Sequence, residues 1–302
     1  MVNDIELLDE YKEKMQRHII SLFPDKLRYP VSNYLGAYSD ISEIRIRCDQ
    51  PIAFTLRASN LITGIKVDRD DLSYIINRMT DGNYYKNEEI MKSGYLSLPF
   101  GVRVGVAGEV FVSGGTIKFL KSINYLNIRI PNTLIIDVEG IVKYIIKNEF
   151  KTSMLVIGAP CSGKTTLLRS LCKVLSAAPY NKRLSVIDTN KELILPSFLR
   201  SPSCEYLTSY PKMAGIRTAI RYFNPEYAIC DELNGGIEAE ALNELHHSGV
   251  PLIASAHCDS FSSLKNRSDL SFLIKNGIFD AVLCIKKVDK AYMFEIRGCG
   301  EI

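Results

Sequence analysis

The sequence of 302 residues has no C-x-x-C pair among its eight cysteines, which are scattered at positions 48, 161, 172, 204, 230, 258, 284 and 299. That scatter offers no compact Cys/His spacing for zinc and no disulfide framework. Several of these cysteines stand in apolar runs, where the thiol acts as a small hydrophobe, so a reducing cytoplasm is the expected compartment. Long hydrophobic runs are also missing: none approaches the roughly 18 residues that span a bilayer. Met1-Val-Asn-Asp-Ile-Glu6 is acidic and has no basic n-region leading into an apolar h-region, so no signal peptide is expected. Charge of one sign is scarce, with 37 Lys and Arg against 34 Asp and Glu and a net charge of +3. No global field therefore marks a nucleic-acid binder, no Lys/Arg stripe interleaved with aromatics is evident, and nucleic acid is not an expected partner. Internal repeats and low-complexity segments are absent too. What is present is the composition of an ordinary folded protein, 46% hydrophobic and 24% charged, with length enough for two domains.

The two halves follow different periodicities. Apolar residues at Leu7, Leu8, Tyr11, Met15 and Ile19 give residues 4–21 the spacing of an amphipathic helix. Ser42 to Cys48 alternates strictly, as a half-buried strand does, and Asp49-Gln-Pro51 breaks it. Asp70 to Met79 returns to helical spacing with acids in the first turn. From Gly94 to Ile130 the pattern is β, with Ser113-Gly-Gly115 as a strong turn. These features predict an α+β domain over residues 1–130. Pro131-Asn-Thr133 opens a short linker, 131–136. Beyond it, strands at Met154–Ile157, Leu184–Asp188, Tyr227–Asp231, Pro251–Ala256 and Ala281–Ile285 alternate with helical stretches such as Ile237–His247. Tyr292–Ile296 is expected as an edge strand. That order predicts an α/β domain over 137–302 with a mainly parallel sheet.

The most informative stretch is Gly158-Ala159-Pro160-Cys161-Ser162-Gly163-Lys164-Thr165, which meets every fixed position of the P-loop pattern G-x-x-x-x-G-K-[ST]. The apolar run Met154–Ile157 precedes it and a helix-prone segment starting Thr165-Thr166-Leu-Leu follows, which is the context the motif needs. Glycines let the backbone turn so that successive N–H groups face the α/β-phosphates of a nucleotide. The helix start adds its own unpaired N–H groups and positive dipole end. Lys164 then reaches the β/γ-phosphates and the Thr165 hydroxyl becomes a ligand of Mg²⁺. ATP and Mg²⁺ are the expected ligands.

Other strand ends converge on the same edge. Tyr227-Ala-Ile-Cys-Asp231-Glu232 is an apolar strand closing in two acids, and ligands of open α/β sheets gather at such carboxyl ends. Asp231 is placed to hold Mg²⁺ and Glu232 to act as general base on the attacking water. For Asp188 and Glu192 two readings stand side by side: orienting a water, or capping a helix start. His257, delivered by Leu252-Ile-Ala-Ser-Ala-His257, is either a γ-phosphate sensor or a structural histidine. P-loop enzymes often borrow an arginine from another surface. Arg103, Arg129, Arg217 and Arg221 qualify, each equally well described as a surface arginine lying over apolar neighbours.

With these residues in place the chain resembles the stage III sporulation protein AA family of endospore-forming bacteria, relatives of the type II/IV secretion and pilus-retraction ATPases. The resemblance runs through Ile44–Arg47, Lys92–Gly108, Asn127–Ile130, the P-loop, Met213–Arg221, Asp231-Glu232 and His246–His257. It implies an N-terminal domain followed by a RecA-like P-loop ATPase domain, assembling as a homo-oligomeric, hexameric ring with ATP between subunits or domains. By the same resemblance Arg103 and Arg129 match the arginines of the N-terminal domain that reach the nucleotide. His257 matches the family's His box, and Asp188 with Glu192 its Asp box. It further implies a cytoplasmic protein recruited peripherally to the membrane on the mother-cell side of the forespore. There its partners would be membrane proteins of a sporulation channel complex, powered or organised by ATP turnover. Two departures stand out: Asp188-Thr-Asn-Lys-Glu192 replaces the usual Asp-Glu-Arg-x-Glu, and Leu233-Asn-Gly-Gly-Ile-Glu238 replaces Ile-Gly followed by further acids. Both weaken the case for fast turnover more than the case for binding. A nucleotide-dependent scaffold with slow or no hydrolysis, and a nucleic-acid-stimulated ATPase, are the rival readings.

Overall fold

The computed structural model describes residues 2–302 except 57–58, 84–93, 132–133, 195, 197–198, 234–237 and 289–290, and describes side chains from Glu6 onward. The chain divides into two compact units, Met1–Asn132 and Thr133–Ile302. Outside the described residues fall Lys92 and Ser93 of the resemblance, most of the Pro131–Thr133 turn, the 234–237 departure and Ile237 of the expected helix.

In the first unit, helices α1 (Val2–Ser21) and α2 (Asp25–Ala37) precede strands β1 (Glu43–Arg47), β2 (Gln50–Thr55) and β3 (Asn60–Val67). Helix α3 (Arg69–Met79) and strands β4 (Tyr95–Ser97), β5 (Arg103–Ser113) and β6 (Thr116–Arg129) follow. The six strands form one antiparallel sheet in the order β3-β2-β1-β6-β5-β4. Strand alternation puts Ile44, Ile46, Ile52, Phe54, Val104, Val106, Leu126 and Ile128 on the buried face. Met15, Ile19, Leu27, Val31, Leu35, Leu72 and Ile75 of the helices complete the same core. Asp49 (φ 62) turns the β1–β2 connection, so the break read at Asp49-Gln-Pro51 is a hairpin turn and Gln50 already begins β2. Gly114 and Gly115, both at positive φ, close the β5–β6 hairpin with Ser113 paired to Thr116. Asp68 starts α3 through a reciprocal capping box with Asp71.

The second unit contains α4 (Glu139–Lys147), β7 (Met154–Gly158), α5 (Lys164–Ser176), β8 (Leu184–Asp188), β9 (Cys204–Thr208), α6 (Lys212–Thr218) and β10 (Tyr227–Cys230). Then come α7 (Ala239–His247), β11 (Leu252–His257), α8 (Phe261–Leu264), α9 (Ser268–Lys275), β12 (Ala281–Val288) and β13 (Ala291–Gly298). The sheet order is β13-β12-β7-β11-β10-β8-β9, parallel throughout except for the antiparallel β12–β13 hairpin at one edge. Every residue of β7, β8 and β10 is buried, which is why these strands read as continuous apolar runs rather than alternating ones. The order carries the chain from β7 past β11 and β10 to β8. The carboxyl ends of β7, β11 and β10 thereby become neighbours, the crevice where ligands of such sheets bind.

Candidate functional site

The site grows out of the end of β7. Gly158 has no room for a side chain: a Cβ there would stand 2.5 Å from Ser162 Oγ and 2.6 Å from the carbonyl oxygen of Ile285 on β12. Cys161 (φ 61) and Gly163 (φ 106) turn the loop, and Lys164 begins the 13-residue helix α5. A Cβ at Gly163 would run into Cε1 of the Tyr292 ring on β13 and stand 2.9 Å from its Cδ1. The loop is thus backed by the edge hairpin. Ser162 Oγ is buried and has no hydrogen-bond partner among the described residues. An orphaned hydroxyl in a cradle that only glycine permits, at the start of a long helix, fits the phosphates of a nucleotide.

Lys164 is buried, and its ammonium donates to the carbonyls of Gly158 (2.7 Å) and Ala159 (2.9 Å) and lies 3.2 Å from His257 Nδ1. Burial pushes this ammonium below its ordinary pKa, opposed by the carboxylates of Asp231 and Glu232. An ammonium has only donors, so the Lys164 contact makes His257 Nδ1 the acceptor and leaves the ring proton on Nε2. Nε2 lies 2.9 Å from Glu232 Oε1 and donates to it. Register explains the meeting: His257 on β11 is paired with Gly158 on β7, so the histidine stands over the root of the loop. A continuous chain Lys164–His257–Glu232 results. Arg267 Nη1 donates to the His257 carbonyl at 2.8 Å and holds the strand end.

Thr165 Oγ1 lies 3.4 Å from Asp231 Oδ2, and Asp231 is almost fully buried. A hydroxyl beside a carboxylate oxygen is the donor set for a hard, oxygen-seeking cation such as Mg²⁺. Glu232 has a left-handed backbone (φ 41), which turns its side chain away from that of Asp231 and out toward His257. Ser255 Oγ on β11 donates to Asp231 Oδ1 (2.8 Å) and accepts from the Glu232 amide (3.0 Å).

The Asp188 carboxylate is wholly buried and accepts from three backbone amides: Glu192 (2.8 Å), Leu193 (2.9 Å) and Ile194 (2.9 Å). Burial raises its pKa, and the three amides only partly offset this. No helix starts directly after Asp188 among the described residues, so the expected helix cap is absent there; the carboxylate instead ties down three amides of the loop that follows β8. Glu192 contributes its amide to that loop, and its charge faces Arg169. Arg103 and Arg129 lie in the first unit, directly opposite one another on β5 and β6. Arg129 is also opposite Glu43 of β1, with Nε 3.7 Å from the carboxylate that Arg45 holds at 2.8 Å. Arg217 is committed to Glu240 (3.0 Å) and Glu244 (2.7 Å).

Sequence reasoning missed three residues of this neighbourhood. Arg169 is a buried cation on α5, its pKa lowered by burial against the charges of Glu192, Asp231 and Asp188. The signal was its position one turn after Thr165, on the same helical face. Ser255 was legible as the one hydroxyl in an apolar strand, two residues before His257. Tyr292 had no local signal, because its role depends on the β12–β13 hairpin returning beside β7.

The family profile described as "Sporulation stage III, protein AA" matches residues 12–299. Stage III sporulation protein AA of Bacillus subtilis (strain 168) is 32% identical over 274 residues, covering 88% of this chain and 89% of that protein. Among solved structures, the Legionella pneumophila ATPase DotB superposes with a TM-score of 0.60 at 18% identity, covering 85% of this chain and 76% of that one. The pilus retraction motor PilT with bound ADP gives a TM-score of 0.59 at 12% identity, covering 85% and 79%. Identities this low establish likeness of fold: an N-terminal α+β unit followed by a P-loop ATPase-type unit with a mainly parallel sheet. Sequence match and fold agree, and the chain belongs to the stage III sporulation protein AA family.

Proposed function

We propose that this protein binds ATP with Mg²⁺ and hydrolyses it, as the ATPase of a sporulation channel complex at the mother cell–forespore membranes. The observation that carries this reading is the chain Lys164–His257–Glu232, which links the phosphate-binding lysine to an exposed carboxylate beside the Thr165/Asp231 pair. Bound Mg-ATP supplies the phosphoanhydride bond and the metal charge that eases its cleavage. The backbone N–H groups of residues 161–166 and the Lys164 ammonium bind the phosphates, with Ser162 Oγ as a further donor. Thr165 and Asp231 hold the cation. Glu232 takes the proton of the attacking water on its carboxylate, oriented by the His257 Nε2 hydrogen. Asp188 keeps the loop at 192–194 in place, and Glu192 shares the charge of Arg169 with Asp231 and Asp188.

The resemblance supports assigning residues 1–130 to an N-terminal domain, 131–136 to a linker and 137–302 to the ATPase domain. It supports Arg103 and Arg129 as donors to the nucleotide of the same or a neighbouring subunit in a hexameric ring. It also supports peripheral recruitment by membrane proteins. No helix among the described residues is long and apolar enough to cross a membrane. One observation favours a second reading, a nucleotide-dependent scaffold with slow turnover: Asp188 has both oxygens committed to backbone amides, and the family's inner Glu and Arg are replaced by Thr189 and Asn190.

ATP hydrolysis measured against protein concentration, alongside particle mass with and without Mg-ATP, tests the proposal. Turnover that rises with assembly is expected. Equal turnover by a dilute monomer, unaffected by Arg103→Ala and Arg129→Ala, would rule out the shared-arginine arrangement.

A further inference from the structure

We propose that Ser255 is a positioning residue that locks the metal-binding acid and the water-activating acid into one unit. The inference rests on the functional reading above and extends it to a residue outside the motifs. Strand β11 is apolar and buried from Leu252 to Ala256 apart from this serine, whose side chain is wholly buried. The last paired residues of β10 and β11 are Cys230 and Ala254, so Ser255 lies one step further on, beside Asp231.

Its hydroxyl has one proton and two lone pairs. The Glu232 amide donates to Oγ at 3.0 Å, so the hydroxyl proton goes to Asp231 Oδ1 at 2.8 Å. With Oδ1 held from behind, the other oxygen, Oδ2, is the one that faces Thr165 Oγ1. The Ser255 carbonyl also accepts the amide of Leu233 at 2.7 Å. Two consecutive amides are therefore anchored on one residue, on either side of the left-handed turn that Glu232 must make. A non-glycine residue holds such a conformation only where its surroundings enforce it. Removing the hydroxyl unpins both acids at once: Asp231 loses the contact that selects its oxygen, and the Glu232 amide loses its acceptor. Partners one step behind a metal ligand typically change metal affinity by about 10–100-fold when removed.

The test is a titration of Mg²⁺ into protein carrying a fluorescent non-hydrolysable ATP analogue, with the affinity for that analogue measured separately in EDTA. Ser255→Ala is expected to raise the Mg²⁺ half-saturation about 10–100-fold and to leave the affinity in EDTA within about threefold of wild type. Ser255→Thr, which keeps the hydroxyl, restores the wild-type value. On an Asp231→Asn background Ser255→Ala is expected to add nothing, since the two act through one contact. An unchanged Mg²⁺ half-saturation in Ser255→Ala overturns the proposal. So does a loss of affinity in EDTA equal to the loss in Mg²⁺, which marks a structural role only. If Ser255→Thr does not fold, the alanine comparison decides alone. Wild-type protein that binds the analogue without any response to Mg²⁺ overturns this inference and leaves nucleotide binding intact. Wild-type protein that does not bind the analogue at all overturns the functional reading, and this inference with it.

Discussion

Gly163 is the position where the smallest substitution carries the most information. An alanine there meets two separate obstacles. The backbone stands at φ 106, which costs an L-residue about 1–2 kcal/mol. The new methyl also points into the Tyr292 ring, whose Cδ1 would be 2.9 Å away and whose Cε1 closer still. Forcing extra volume into a packed site of this kind costs about 1–3 kcal/mol. Gly163→Ala is therefore expected to destabilise by about 2–5 kcal/mol, a large part of the stability of an ordinary domain. The two terms separate experimentally. Tyr292→Ala removes the obstruction and leaves the backbone cost, so adding Gly163→Ala to it should cost only about 1–2 kcal/mol. Urea unfolding of the wild type, both single variants and the double variant gives the coupling directly, with an expected value of about 1–3 kcal/mol. Additivity within about 0.5 kcal/mol would refute the claim that the edge hairpin backs the phosphate loop. Gly163→Ala as stable as wild type would refute both terms.

Three further outcomes are expected. Asp188→Ala strips the acceptor from three amides and should lower stability by about 2–4 kcal/mol, read from urea midpoints. In the first unit, burial pushes the Glu43 carboxyl up, but the hydrogen bond and charge of Arg45, with Asn127 and Arg129, outweigh it and hold the pKa below its ordinary value. The folded state then binds this proton less readily than the unfolded chain. The contribution of Glu43 is complete above about pH 4.3 and disappears as pH falls through the depressed value. Comparing urea midpoints at mildly and strongly acid pH, Glu43→Gln should lose less stability on acidification than wild type. Lys164→Ala removes a buried cation bonded to the loop carbonyls and should abolish retention of ATP on a desalting column while leaving far-UV circular dichroism unchanged.

Much of this protein was legible before folding, for reasons that differ between elements. Buried parallel strands such as β7 and β10 announce themselves as apolar runs, and the P-loop pattern pins one of them to a helix. That Asp231, Glu232 and His257 meet at one edge of the sheet was equally readable, because each closes an apolar strand and parallel strands bring such carboxyl ends together. Helix α2 was not, since Pro30 in its interior reads as a breaker. Strand β9 carries Glu205 and only one buried residue, Leu207, so it lacks the apolar run that marked its neighbours. Asp188 illustrates the limit of residue type: the same carboxylate serves metal chemistry or a loop of amides, and only three-dimensional placement shows three amides converging on it. Ser255 stands out locally as a hydroxyl in an apolar strand, but its partners lie at the end of β10, and Tyr292 acts across strands distant in sequence, so no local pattern contains it.

The central claim is that Glu232 activates water for hydrolysis of a nucleotide held at Gly158–Thr166. Phosphate release in Mg-ATP, together with the nucleotide retained after rapid desalting, tests it most directly in wild type and Glu232→Gln. The account predicts that the wild type hydrolyses ATP, while Glu232→Gln loses turnover by about 100-fold or more and retains ATP uncleaved. Turnover by Glu232→Gln at the wild-type rate, or no Mg-dependent hydrolysis by wild type in its assembled state, would contradict it.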